Sequence, residues 1–186
     1  MKRRLFIALN LPSDLKQSIA REVEAVRYSF TDDARFMTPE QWHITLAFLG
    51  EQSDETLPLI TAAMEKVGKR FAVPEITFTD IGYGPKPDAP RMLWLNGADT
   101  SSRALQPLSD ALDDALVDAG VMFKRDFRRF RIHITLARFL THDDLPELHR
   151  PFTHTLEIPA MDLMESTLTR NGAEYTLLQK VKFQVN

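Results

Sequence analysis

One five-residue segment, His-Ile-Thr-Leu-Ala, occurs twice in this chain, and the repeat strongly limits how the chain can fold. The two copies lie at 43–47 and 133–137, about ninety positions apart. An identical recurrence of this length is rare by chance in a chain of this size, so it indicates an internal duplication. A duplication kept only for structure would preserve the aliphatic residues more readily than the polar histidine and threonine. The repeat therefore also indicates a function.

The patterns around the repeat predict strand, helix, strand, strand and helix in an order that roughly recurs. Amphipathic helices are predicted at 13–30, with Ser13 as N-cap, at 56–70 and at 101–120. Strands are predicted at 4–11, at 75–85, at 91–97, at both copies of the repeat, and in two long C-terminal runs joined by an Asn171-Gly172 hairpin turn. This order predicts an α+β fold with internal duplication.

Composition narrows the class of protein. The 186 residues, 44% of them hydrophobic, suffice for one domain with a substantial core. A net charge of −3 excludes a polybasic coat for nucleic acid, but a local group of arginines can still bind phosphate. The lack of cysteine excludes disulfides, cysteine-ligated zinc and thiol catalysis. Since no apolar run has the length of a signal or membrane segment, we expect a cytoplasmic protein that does not bind membranes.

Strand alternation predicts which residues of each repeat share a face. In the first copy it groups His43, Thr45 and Ala47 on one face and puts Phe48 on the buried opposite face. The second copy groups its histidine, threonine and alanine in the same way. If a pseudo-two-fold axis relates the two halves, both His/Thr pairs can face one cleft.

Two histidines in one cleft suit acid–base chemistry, because imidazole titrates near pH 6.5. One ring can deprotonate a water or hydroxyl while the other protonates a departing oxygen, and the threonine hydroxyls can hold phosphate oxygens. No metal is then required. A metal site would need other ligands, and His142, His149 and His154 lie in a polar region without recognisable ligand spacing. These three are predicted to be surface residues.

With these features the chain resembles the two-histidine (2H) phosphoesterases, in particular the RNA 2′,3′-cyclic phosphodiesterases, historically called 2′-5′ RNA ligases. The likeness covers nearly the whole chain, through the segments RLFIALNLP, FMTPEQWHITLAFLGE, PRMLWLNG, FRIHITLAR and LMESTLTRNGAEYTLL. The resemblance implies a bilobal, pseudo-two-fold-symmetric fold with antiparallel sheets lining a central cleft and helices outside. Residues 1–186 would form one domain of two intertwined duplicated lobes, with the motifs at 43–46 and 133–136.

The resemblance also implies an activity and its residues. The family hydrolyses a terminal 2′,3′-cyclic phosphate of RNA to a 2′-phosphomonoester without a metal or another cofactor. By position in the motifs, His43 would be the proton donor and His133 the proton acceptor, with Thr45 and Thr135 binding phosphate. The near symmetry of the two copies leaves the acid–base order unassigned by the sequence itself.

Five further residues are candidates around this site. Arg138 matches an arginine that often follows the second motif, but by strict alternation it reaches the phosphate only if the strand bends or ends there. Arg129 and Arg131, within the basic run KRDFRRFR, are candidates for guiding the RNA backbone, and the alternative is a solvated charged strand. Tyr83 and Phe130 are candidates for stacking on bases, against the alternative of core packing.

Other functions remain open from the sequence. The same site could join RNA ends in a 2′-5′ linkage, cleave 2′-5′-linked oligonucleotides, or open a small cyclic nucleotide. A different class is a non-catalytic RNA- or nucleotide-binding module, although such a module would not need a titrating pair of histidines. The expected partner is RNA with a cyclic phosphate end or a 2′-5′ linkage, tRNA fragments among them, bound by a monomer.

Overall fold

A computed structural model of the chain describes residues 1–30, 34–86, 89–140, 145–148, 150–170 and 172–184. In these ranges the strands are β1 Lys2–Asn10, β2 Ala34–Phe36, β3 His43–Ser53, β4 Glu75–Gly84, β5 Met92–Gly97, β6 His133–Phe139, β7 Arg150–Glu157, β8 Ala160–Thr169 and β9 Gly172–Lys182. The α-helices are α1 Ser13–Arg27, α2 Leu57–Gly68 and α3 Asp99–Asp118. Short 3₁₀ turns span Pro39–Gln41 and Asp54–Thr56.

The strands form two antiparallel sheets. Sheet A has the order β3-β1-β8-β9, and sheet B has the order β2-β6-β5-β4-β7. The unit β1–α1–β3 corresponds to β5–α3–β6, because in each unit a strand and the repeat strand pair antiparallel with a helix between them in the chain. The predicted α+β fold is confirmed, and the two copies of the repeat begin strands of different sheets.

One face of each sheet packs with the helices into a shared hydrophobic core. Four leucines at helical spacing in α3 are fully buried there: Leu105, Leu108, Leu112 and Leu116. Burying one such leucine stabilises the fold by roughly 1.5–3 kcal/mol. In β1, Leu5, Ile7 and Leu9 join this core, whereas Phe6 and Ala8 point to the other face and form a small cluster with Met164. No helix in the described ranges is long and apolar enough to cross a membrane.

Two helix ends test the sequence predictions. Helix α1 begins at Ser13 itself, Pro12 occupies the N-cap position and no side chain caps the helix, so the prediction of Ser13 as N-cap is wrong. The helix also ends at Arg27, three residues before the predicted end. Gly120, the last residue of the segment predicted for α3, has φ +80° and follows the C-cap residue Ala119, so the helix ends there.

The C-terminal region contains three strands where the sequence predicted two. The additional strand is β7, which pairs antiparallel with β4 at the edge of sheet B. Its sequence, RPFTHTLE, alternates half-buried and exposed residues and so lacks the apolar run that would have revealed it. The predicted hairpin between β8 and β9 is present, with Thr169 paired to Gly172, while Asn171 lies outside the described residues.

Candidate active site

Strand β3 contains a β-bulge at Leu46 that changes which residues face the cleft. Ala8 of β1 pairs with Thr45, and Ile7, the residue before it, pairs with Ala47. Leu46 therefore has no partner on β1. Beyond this point the alternation reverses. Ala47 lies in the core, and Phe48, 68% exposed, lies on the face of the motif histidine. The predictions that Ala47 shares that face and that Phe48 is buried are therefore wrong.

Strand β6 contains the same bulge at the same position of the repeat. Trp94 pairs with Thr135, and Leu93, the residue before it in β5, pairs with Ala137, which leaves Leu136 without an opposite residue. Ala137 is fully buried and Arg138 is exposed on the face of the second histidine. By strict alternation Arg138 reaches this face only if the strand bends, and the bulge supplies that bend.

In both bulges a donor from outside the sheet binds the carbonyl oxygen of the extra residue. The hydroxyl of Ser109 on α3 donates to the carbonyl oxygen of Leu46 at 3.2 Å. The backbone N–H of Met37, just after β2, donates to the carbonyl oxygen of Leu136 at 2.8 Å. Because a buried carbonyl without a partner is costly, these two contacts stabilise the bulges.

The two His/Thr pairs lie close to each other. Strands β3 and β6 are in contact although they belong to different sheets. The charge of His133 contributes to lowering the pKa of His43, so the two imidazoles interact electrostatically. Thr45 and Thr135 are half-buried on the same strand faces as the histidines. The structure therefore brings the two motifs close together.

Each histidine binds the backbone two residues before it. Nδ1 of His133 lies 2.9 Å from the carbonyl oxygen of Arg131. A carbonyl can only accept, so Nδ1 carries the proton and Nε2 remains for chemistry. The ring of His43 makes a corresponding hydrogen bond to the backbone of Gln41, and this contact raises its pKa. The repeat thus presents two imidazoles anchored in the same way.

Both imidazoles favour the neutral form when no anion is bound. The pKa of His43 is lowered to about 4, chiefly by burial and to a smaller extent by the charges of Lys16 and His133. Burial likewise lowers the pKa of His133, and nearby arginines, Arg131 and Arg138 among them, act in the same direction. An anion at 4–6 Å has the opposite effect, because it stabilises imidazolium. The site is therefore poised for protonation when phosphate enters.

The two histidines differ in their aromatic neighbours. His133 stacks on Trp94, with ring centroids 3.9 Å apart and planes 29° apart. His43 lies 4.8 Å from the ring of Phe6 and 5.2 Å from the ring of Tyr175, whose edge meets it at 84°. These contacts restrict the orientation of both imidazoles by packing, in addition to the backbone hydrogen bonds.

An asparagine stands directly opposite each histidine, a second duplicated feature that the sequence analysis missed. Asn10 of β1 pairs with His43, and Asn96 of β5 pairs with His133. Both asparagines follow a leucine and lie shortly before a helix, at 9–10 and 95–96. This recurrence of Leu-Asn was the signal available in the sequence, but two residues are too short to recognise without the fold.

An aspartate on the next strand holds each of these asparagines. Nδ2 of Asn10 donates to a carboxylate oxygen of Asp162 at 2.8 Å, and Nδ2 of Asn96 donates to Asp80 at 2.9 Å. Asp162 is 2% exposed and also forms an ion pair with Lys180 at 3.4 Å. The duplication therefore extends from the histidine strand across two further strands of each sheet.

The arginines predicted to guide RNA lie in different surroundings. Arg131 adjoins the site, because its guanidinium carbon is 5.2 Å from the ring centroid of Trp94 and its charge acts on His133. Arg129 instead forms an ion pair with Asp99 at the start of α3. Other arginines of the basic run are also paired: Arg125 with Asp113 and Asp114, and Arg128 with Asp126. Intramolecular carboxylates thus neutralise much of the run.

The two aromatic residues predicted to stack on bases pack within the fold. The ring of Tyr83 lies 6.4 Å from that of Phe30 and 6.0 Å from that of Phe139, and its hydroxyl donates to the carbonyl oxygen of Pro146. Phe130 packs against the main core. These contacts correspond to core packing, the alternative considered for both residues.

The described residues contain no group of three or more histidine, cysteine, aspartate or glutamate side chains placed to bind a metal. Of the three histidines considered as ligands, His154 lies on β7 with its ring 6.3 Å from that of Phe152. His142 and His149 lie outside the described residues.

The sequence of the chain is similar to those of known proteins. Residues 15–170 match the model of a family described as the 2′-5′ RNA ligase superfamily. An RNA 2′,3′-cyclic phosphodiesterase of Aeropyrum pernix is 31% identical over 150 residues, which cover 77% of this chain and 82% of that protein. A protein of the same name from Thermus thermophilus is 30% identical, over 95% of this chain and 88% of that protein.

Solved structures resemble the whole chain. The crystal structure of TT0787 of Thermus thermophilus superposes with a TM-score of 0.78 and 26% identity, covering 98% of both chains. The crystal structure of Escherichia coli LigT complexed with 3′-AMP has a TM-score of 0.76 and 26% identity, covering 98% of this chain and 99% of that one. The predicted bilobal architecture of antiparallel sheets is the architecture of these proteins.

Proposed function

The chain belongs to the 2′-5′ RNA ligase superfamily, and we propose that it hydrolyses the terminal 2′,3′-cyclic phosphate of RNA to a 2′-phosphomonoester by two-histidine acid–base catalysis. The observation that carries this proposal is the presence of both His/Thr pairs in one cleft, each imidazole hydrogen-bonded to the backbone two residues before it. Relatives named RNA 2′,3′-cyclic phosphodiesterase support the substrate class. We also propose that sheets A and B are the two duplicated lobes of one domain.

In the proposed reaction His133 is the base and His43 is the acid. Nε2 of His133 removes a proton from water, and the water oxygen attacks phosphorus. The bond from phosphorus to the 3′ oxygen breaks, and His43 donates its proton to that oxygen. The products are a 3′ hydroxyl and a 2′-phosphomonoester. One proton is taken by His133 and one is released by His43, so proton exchange with solvent restores the starting state.

The low pKa of His43 fits the role of acid once substrate has bound. In the free protein its pKa is about 4, so few molecules carry imidazolium at neutral pH. The cyclic phosphate carries a negative charge, and an opposite charge within 4–6 Å raises a pKa by roughly 1–3 units. Bound substrate therefore favours the protonated form of His43, the acid. The nearby arginines favour the neutral form of His133, as its role as the base requires.

In this proposal three groups hold the non-bridging oxygens of the phosphate as charge shifts during attack. The hydroxyls of Thr45 and Thr135 lie on the faces of the histidines, and Arg138 reaches the same face because of the bulge in β6. Fixed donors aimed at developing charge lower the barrier more than they stabilise the bound substrate. In this proposal the protein side chains carry the reaction without a metal.

The test is a product assay with cyclic-ended oligonucleotides in the presence of a chelator. The expected product is a 2′-phosphomonoester, formed at the same rate with and without the chelator. Formation of a 3′-phosphate only, or loss of activity on chelation, would contradict the proposal. Binding without turnover would instead favour a non-catalytic RNA-binding module.

Joining RNA ends in a 2′-5′ linkage is a second candidate, because it uses the same groups and the family description names a 2′-5′ RNA ligase. A 5′ hydroxyl would then take the place of water: His133 would remove its proton, its oxygen would attack phosphorus, and His43 would protonate the departing 3′ oxygen. Incubating 2′-5′-linked and cyclic-ended RNA separately with the protein, to equilibrium, measures which side of the reaction is favoured.

A further inference from the structure

Two arginines stand directly opposite each other on the cleft face of sheet B. Arg35 of β2 pairs in register with Arg138 of β6, and both side chains are exposed. The residues on either side of them point the other way and pack on the core: Ala34, Phe36, Ala137 and Phe139. Like charges directly opposite each other destabilise an antiparallel pair. An anion bound between the two charges would relieve this repulsion.

The guanidinium of Arg35 reaches from sheet B to the hairpin of sheet A. It lies against the backbone of Gly172, so closely that a Cβ at this position would collide with its Nη2 and Cζ atoms. The same part of the hairpin is held by Gln41, whose Nε2 donates to the carbonyl oxygen of Ala173 at 2.6 Å. Arg35 therefore spans one end of the cleft. A guanidinium has five N–H donors, so it can contact the hairpin and a phosphate at the same time.

Arg35 lies farther from Thr135 than Arg138 does, and so beyond the position proposed for the reacting phosphate. On β5 the partners of Thr135 and Arg138 are two residues apart, which corresponds to roughly 7 Å along the strand. Arg35 lies one strand further out, at a spacing of roughly 4.8 Å. Phe48 occupies the position in sheet A that corresponds to Arg138, so the cationic groups continue along sheet B and not along its counterpart.

We propose that Arg35, together with Arg138, binds the phosphodiester immediately 5′ to the cyclic phosphate of an RNA substrate. This inference rests on the proposed function and deepens it. It makes Arg35 a specificity-determining residue that favours oligonucleotides over nucleoside cyclic phosphates, which have no upstream phosphate. Arg138 lies between the two phosphates and contributes to both.

The test compares three substrates that differ only upstream of the reacting bond. These are a nucleoside 2′,3′-cyclic phosphate, a cyclic-ended dinucleotide with its ordinary linkage, and the same dinucleotide with an uncharged methylphosphonate linkage. Arg35→Gln is expected to raise KM for the charged dinucleotide about tenfold, since a charged hydrogen bond is lost. The other two substrates are expected to change by about twofold or less. Arg21→Gln on the exposed face of α1 is the control for loss of one charge.

Salt dependence provides an independent measurement. Each phosphate contact on a single strand contributes about 0.7 to the slope of log KM against log salt concentration. Arg35→Gln is expected to reduce this slope by about that amount for the charged dinucleotide. The methylphosphonate substrate is expected to give the lower slope already with the wild-type protein, which tests the subsite without any substitution.

Two results would overturn the inference. One is an equal loss on all three substrates, which would assign Arg35 to the reacting phosphate or to the structure of the hairpin. The other is an unchanged KM for the charged dinucleotide. If Arg35→Gln fails to fold, Arg35→Lys keeps the charge and loses the planar fork, and the methylphosphonate comparison still decides.

Failure of the proposed function gives a different result. If the wild-type protein opens none of the three cyclic phosphates, the activity is wrong and the subsite is tested by equilibrium binding. The probe is then a dinucleotide ending in a 2′-phosphate, with either the charged or the methylphosphonate linkage. Tighter binding of the charged form by wild type, lost in Arg35→Gln, supports the subsite, and equal binding of both forms overturns it.

Discussion

The hydroxyl of Ser109, in the middle of helix α3, donates a hydrogen bond to the carbonyl oxygen of Leu46, the extra residue of the bulge in the first motif strand. Both groups are buried, and 63 positions of sequence separate them. The bulge places Phe48 rather than Ala47 on the cleft face beside Thr45. A helix of the second half of the chain thus supports the motif of the first half.

Substitution of Ser109 is expected to weaken both stability and catalysis. Ser109→Ala leaves a buried carbonyl without its donor, so the free energy of unfolding should fall by about 1–3 kcal/mol, measured by urea denaturation. The value of kcat/KM should also fall, because the bulge would relax. Ser18→Ala is the control, since that hydroxyl binds an exposed helix carbonyl and should change stability by less than about 0.5 kcal/mol. Similar losses in the two variants would contradict the role assigned to Ser109.

Removal of either histidine is expected to abolish most of the turnover while the fold is kept. His43→Ala and His133→Ala should each lower kcat by about 10²–10⁴, the usual contribution of a general acid or base. Circular dichroism would establish that both variants are folded. His154→Ala, on the edge strand β7, should keep the wild-type rate. A variant of either motif histidine with wild-type turnover would disprove its assignment.

The pH dependence follows from the directions of the two pKa shifts. The profile of kcat/KM reports the free protein, in which the pKa of His43 is about 4 and that of His133 is below its ordinary value of 6.5. Its maximum should therefore lie below pH 6.5. The profile of kcat reports the complex, in which bound phosphate raises both values, so its maximum should lie at higher pH. Because the two groups interact, the fitted values belong to the pair. Coincident maxima would show that bound substrate does not shift the pair.

The asparagine–aspartate pair beneath the first motif should be energetically coupled. Asn10→Ala removes a donor from the buried carboxylate of Asp162 and should cost about 1–3 kcal/mol of unfolding free energy. In the double variant with Asp162→Ala the buried carboxylate itself is removed, so the loss should be smaller than the sum of the single losses. A coupling energy of about 0.5–3 kcal/mol is expected from this cycle. Additive losses would mean that the contact is not energetically significant.

The sequence alone was enough to predict the two motif strands, all three helices and the α+β class. Helical spacing of Leu105, Leu108, Leu112 and Leu116 predicts α3 because that spacing allows only one face to be buried. His43 and Thr45 share a face because successive side chains of a strand point to opposite faces, so that every second side chain points the same way. These features depend on local geometry, so a short stretch of chain is sufficient to predict them.

The remainder of the site depends on contacts between distant parts of the chain. Alternation fails after Leu46 and Leu136 because donors from Ser109 and Met37 stabilise bulges that the strands themselves do not encode. The opposition of Arg35 and Arg138 depends on the register between β2 and β6, about a hundred residues apart in the chain. The sequence by itself therefore determined which side chains we propose for the chemistry. Only the tertiary structure decided which of their neighbours face the cleft, since strand register and bulges are set by long-range hydrogen bonds.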